Sequence, residues 1–143
     1  MDTESIRKSL LSKFREVTAD RLEKIGLALL ALEKDANDAT PAEDVARELH
    51  TMKGEARMLG LPRIGELAHA AEDLLKAARE GQTSTSAATD LLLRCCDLIN
   101  EPIYDLSTAE RANPEVEALC DALARAAGRT DAEAAHAPSP APP

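Results

Sequence analysis

At 143 residues the chain can form one domain with its own core, and its net charge of −9 denies it the basic face by which a protein binds nucleic acid or an anionic membrane. Alanine and leucine dominate, Phe14 and Tyr104 are the only aromatic residues, and tryptophan is absent, a composition that favours an all-α domain packed with small aliphatic side chains. No apolar run is long enough to span a bilayer, and the charged first 25 residues lack the apolar core of a signal peptide, so the expected location is cytoplasmic.

Apolar spacing predicts five helices. The first runs from about Thr3 to Glu33 on a stripe of Ile6, Leu10, Phe14, Val17, Leu22, Ile25, Leu29 and Leu32. The turn and cap residues of "DANDATP" end it. The second starts near Pro41, with Thr40 as N-cap and Pro41 at the first helical position. Its seam is Val45, Leu49, Met52, Ala56 and Leu59, in steps of four, three, four and three, and Gly60 and Pro62 stop it. The third covers about Pro62 to Glu80, with Ile64, Leu67, Ala71, Leu74, Leu75 and Ala78 inward and Gly81 just past its end. The fourth carries Leu91, Leu92, Cys95, Ile99 and Ile103, with Pro102 kinking or ending it. A shorter fifth helix begins near Pro114, with Val116, Leu119, Cys120, Leu123 and Ala127 as its apolar positions. Short connections between long amphipathic helices imply antiparallel neighbours, hence an up-and-down four-helix bundle over residues 1–127 with an additional C-terminal helix. Residues 128–143, "GRTDAEAAHAPSPAPP", hold no large apolar side chain and read as a flexible Ala/Pro-rich linker in which His136 needs no role. Cys95, Cys96 and Cys120 are odd in number, form no C-x-x-C pair, and read as small core residues of a reduced protein.

One stretch of the second helix does not fit a purely structural reading. "ELHTMKGEARMLGL", residues 48–61, carries Gly54 in mid-helix, at a cost of about 1 kcal/mol relative to alanine. With Leu49 at the seam, a 100° advance per residue turns His50, Lys53, Gly54 and Arg57 away from the core. Between Arg47 and Arg63 four cations face two anions, a local charge of +2 in an acidic chain. A hairpin pivoting near Leu61–Pro62 sets His50 level with Glu72–Leu74 of the third helix and Lys53 level with His69–Ala71, so that Glu72 can approach His50 with His69 and Lys53 close by. An exposed neutral imidazole is a nucleophile near neutral pH. A carboxylate such as Glu72 would fix its tautomer, and Lys53 and Arg57 can lie beside phosphoryl oxygens or a docking partner.

The stretch "LHTMKGEARMLGL" resembles the H-x-x-K-G-x-x-x-x-x-G signature of histidine phosphotransfer (HPt) domains, especially the P1 domains of CheA-type chemosensory kinases. "ELAHAAEDLLKAAREG" resembles the next helix of those domains, and the whole N-terminal region is similar to kinases of the Frz type that control reversals in gliding bacteria. The resemblance implies an HPt bundle with no catalytic machinery and no cofactor of its own. His50 would accept a phosphoryl group from a separate ATP- and Mg-using kinase domain and pass it to a receiver-domain aspartate of a response regulator, in chemotaxis or gliding signalling. Lys53, Gly54, His69 and Glu72 would support it, and the parent protein would be a histidine kinase. Glu55, after Gly54, departs from the small residue of the family pattern, which can alter docking. Two other readings stand beside this one. One is a metal site built from His50, Glu66, His69 and Glu72, disfavoured because the His-x-x-Glu order reverses the paired Glu-x-x-His of bundle metal sites. The other is a helical adaptor without phosphotransfer.

Overall fold

A computed structural model describes residues 2–104 and 114–128. They form five helices: α1 Thr3–Lys34, α2 Ala39–Met58, α3 Pro62–Arg79, α4 Thr85–Tyr104 and α5 Pro114–Ala126. There is no strand among the described residues. α1 packs on α2 and α4, and α3 packs on α2 and α4, closing an up-and-down four-helix bundle. α5 lies against α3 and α4. The linker expected beyond Gly128, with His136, and the apolar side chain of Ile103 lie outside the described residues.

The bundle core takes the expected seam of α2, with Val45, Leu49, Met52 and Ala56 essentially inaccessible, against Leu29 of α1, Ile64, Leu67 and Leu74 of α3, and Leu92 and Ile99 of α4. Burying a side chain of this size stabilises by roughly 1.5–3 kcal/mol. The stripe of α1 differs from expectation. Thr18, not Val17, is buried, and Ile6 and Leu10 are exposed. The inward positions are Phe14, Thr18, Leu22, Ile25, Leu29 and Leu32, spaced by fours and threes only. The first turns of α1 project past the core, tied back by Arg7, whose Nη2 donates to the carbonyl of Leu59 at 3.0 Å. That contact sets a cation on the negative end of α2.

The helix ends follow cap chemistry, with two corrections. Asp38 caps α2, its carboxylate accepting from the Thr40 amide at 3.2 Å, so Thr40 and Pro41 lie inside the first turn. α4 continues through Pro102 to Tyr104. α2 closes in a Schellman turn: the amide of Leu61 donates to Ala56 O at 2.8 Å and that of Gly60 to Arg57 O at 3.3 Å, with Gly60 at φ +73°. Because L side chains are strained in that region, Gly60→Ala should lower stability by about 1 kcal/mol, read as a lower urea midpoint at unchanged slope. An unchanged midpoint would show that the turn relaxes freely. The three cysteines form no disulfide among the described residues, and burial pushes the Cys95 thiol up and that of Cys96 up to about 12, which leaves both inert at neutral pH.

Candidate functional site

The α2–α3 hairpin builds the site. With α2 capped at Asp38 and turned at Gly60, and α3 begun at Pro62, the two helices run antiparallel. The faces beside their seams then form a groove. His50 stands at its outer edge with its side chain 72% exposed. Its Nδ1 lies 3.3 Å from Glu72 Oε2. A carboxylate only accepts, so Nδ1 carries the ring proton and Nε2 presents a lone pair.

The other Glu72 oxygen, Oε1, lies 2.8 Å from Lys53 Nζ, and both side chains are mostly buried. One carboxylate thus spans the exposed histidine and an ammonium drawn into the groove. Sequence register set Lys53 level with His69–Ala71, whereas its flexible stem carries the charge on to Glu72. His69 lines the same groove as Lys53 and Glu72 but has partners of its own: Arg57 Nη2 stands 3.4 Å from its Nδ1, and Asp73 Oδ2 is 3.9 Å from its Nε2. Arg57 is therefore directed across to His69 on α3.

Gly54 follows His50 by one turn on the exposed face, and a Cβ built there would meet nothing within 4 Å. No neighbour among the described residues requires glycine at that position. Glu55 is turned the other way. Its carboxylate pairs with Arg21 of α1, whose Nε also lies 3.9 Å from Glu48 Oε1. The acidic residue that departs from the family pattern is thus held against α1, off the His50 face. Arg21 and Gly65 are two residues that sequence reasoning missed. Arg21 gave no signal beyond its charge. Gly65 did, because the hairpin pivot places it level with Arg57.

Among the described residues there is no group of three or more His, Cys, Asp or Glu able to hold a metal ion, and no helix long and apolar enough to cross a membrane. The site offers an exposed ring whose Nδ1 faces a carboxylate, a lone pair on Nε2, an ammonium on the same carboxylate and open space at Gly54. Those are the parts needed to take up and release an electrophilic group.

The family model described as "Hpt domain" matches residues 9–138. "Gliding motility regulatory protein" of Myxococcus xanthus is 62% identical over 130 residues, 91% of this chain and 17% of that protein. "Chemotaxis protein CheA" of Bacillus subtilis is 32% identical over 136 residues, 92% of this chain and 20% of that protein. The chain therefore spans a fifth or less of the length of these two relatives. Among solved structures, the phosphorylated P1 domain of CheA3 in complex with CheY6 from R. sphaeroides matches with a TM-score of 0.74 at 26% identity, covering 84% of this chain and 96% of that one.

Proposed function

The chain belongs to the Hpt domain family, and from that premise we propose that it is the phospho-accepting module of a CheA-like histidine kinase acting in gliding or chemotaxis signalling in the cytoplasm. His50 Nε2 attacks the γ-phosphorus of ATP held with Mg in a separate kinase domain. The N–P bond forms as the bond to the ADP oxygen breaks. In the second step a receiver aspartate oxygen attacks the phosphorus, and the N–P bond breaks to return the ring. This domain supplies the nucleophile, its tautomer and its docking face, and needs no cofactor of its own for either step. The observation that carries the reading is the Nδ1–Glu72 contact on a ring 72% exposed. The M. xanthus relative supports a gliding role, and the CheA3 P1 complex with CheY6 supports a response-regulator receiver as partner.

The test is a two-step label experiment. Incubation with a CheA-type kinase core and labelled ATP should give acid-labile, base-stable label on the domain, and added cognate receiver should discharge it. Absence of label with an active cognate kinase would refute the reading, and label that no cognate receiver discharges would refute the second step.

Gly54 gives a separable prediction. Since a Cβ there meets open space, Gly54→Ala should raise stability by about 1 kcal/mol through helix propensity, while transfer to the receiver slows. A stabilised variant that transfers at the wild-type rate would show that access to His50 does not depend on this glycine.

A further inference from the structure

Two histidines stand at the groove, His69 in its lining and His50 at its edge on Glu72, and exposure alone does not choose between them: the His69 side chain is 44% exposed. The partners of the two rings do choose. At His50 the partner of Nδ1 is a carboxylate, which only accepts, so Nε2 is left with a lone pair facing outward. At His69 the partner of Nδ1 is the Arg57 guanidinium at 3.4 Å, which only donates. His69 Nδ1 therefore holds the lone pair and spends it on Arg57. Its Nε2 holds the proton, turned toward Asp73 Oδ2 at 3.9 Å. A ring in that state has no free lone pair with which to attack phosphorus.

A second observation shows how Arg57 is aimed. Gly65 lies one turn before His69 on α3, and a Cβ there would stand 3.3 Å from Arg57 Cγ and 3.9 Å from its Nε. The arginine stem crosses bare backbone at this point, which carries the guanidinium from α2 onto His69. Lys53, the α2 cation that lines the groove, is held by Glu72.

We propose that Arg57, seated on Gly65, is a positioning residue that occupies the only lone pair of His69 and so keeps this second histidine from accepting a phosphoryl group beside His50. The proposal rests on the reading of His50 as acceptor, but its chemistry can be tested without a kinase. Phosphoramidate transfers its phosphoryl group directly to imidazole. The N–P bond to the ring forms as the N–P bond to ammonia breaks, and the ring proton passes to the released ammonia.

Wild type, Arg57→Ala and Gly65→Ala would each be incubated with phosphoramidate, and label on the His50, His69 and His136 peptides quantified under alkaline conditions. The expected result is little label on His69 in wild type, a rise of roughly tenfold in Arg57→Ala as a charge-assisted hydrogen bond is lost, and a smaller rise in Gly65→Ala, which keeps the guanidinium but displaces its stem. In 15N spectra, His69 Nδ1 should resonate as a hydrogen-bonded pyridine-type nitrogen in wild type and shift in Arg57→Ala. His69 labelled as fast as His50 in wild type, unchanged His69 label in Arg57→Ala, or a wild-type Nδ1 bearing the proton would each overturn the proposal. Failure of the kinase to label His50 would refute the phosphotransfer reading, while the phosphoramidate and 15N results would still decide the role of Arg57.

Discussion

His50→Gln should carry no acid-labile, base-stable label after incubation with ATP and a CheA-type kinase core under conditions that label the wild type fully. Glutamine keeps the length and polarity of the side chain but has no nitrogen lone pair able to attack phosphorus, since its amide nitrogen is conjugated and only donates. The substitution sits on an exposed position of α2, outside the Val45–Leu49–Met52–Ala56 seam. Urea midpoint and helical content should therefore stay at wild-type values. Loss of label would then report chemistry and not unfolding. The other histidines bear on the interpretation: His69 has its lone pair engaged by Arg57, so it should not substitute for His50. Residual label approaching the wild-type level in His50→Gln would mean that the acceptor had been misassigned.

Glu72→Ala should slow phosphorylation of His50 by about tenfold while the bundle stays folded. Two effects act together. The ring loses the acceptor that keeps the proton on Nδ1, and a neutral imidazole left to itself favours the proton on Nε2, where it blocks attack. A charge-assisted hydrogen bond of this kind contributes roughly 1.5 kcal/mol, about a factor of ten in tautomer population. Lys53 also loses its counter-charge at 2.8 Å, so its ammonium is no longer held at the site. Glu72→Gln separates the two. Its amide oxygen can still accept from Nδ1, but it offers Lys53 no charge, so it should retain more activity than the alanine variant. Wild-type kinetics in Glu72→Ala would remove the carboxylate from the account. A collapse of thermal stability would mean that the Lys53–Glu72 pair holds the groove together and that the slower rate says nothing of tautomers.

The helices and their inward faces were legible in the sequence where apolar residues recur in threes and fours within the bundle, as in Val45, Leu49, Met52 and Ala56, but not at Ile6 and Leu10, which keep that spacing past the core. α1 was misread where the pattern is hidden by a polar residue. Thr18 completes the step from Phe14 to Leu22, whereas Val17 forces a five-residue gap before Leu22. The hydrophobicity of valine outweighed the periodicity that marked threonine as inward. The α2 cap was misplaced because Asp35, Asn37, Asp38 and Thr40 can all cap, and only backbone geometry selects Asp38. Within the site, the His50–Glu72 approach followed from hairpin register, since both side chains reach little more than one turn. The partners of Lys53 and Arg57 did not. A side chain with four or five rotatable bonds selects among several groups on the facing helix, and the choice depends on local space, such as the missing Cβ at Gly65.

The central claim concerns one atom: Nε2 of His50 is the nucleophile because Glu72 holds the proton on Nδ1. Long-range 1H–15N correlation of the His50 ring, before and after phosphorylation, tests it directly. The account predicts the Nδ1–H tautomer in the free domain at neutral pH and the phosphoryl group on Nε2 after reaction. A free ring with its proton on Nε2, or a phosphoryl group on Nδ1, would contradict it.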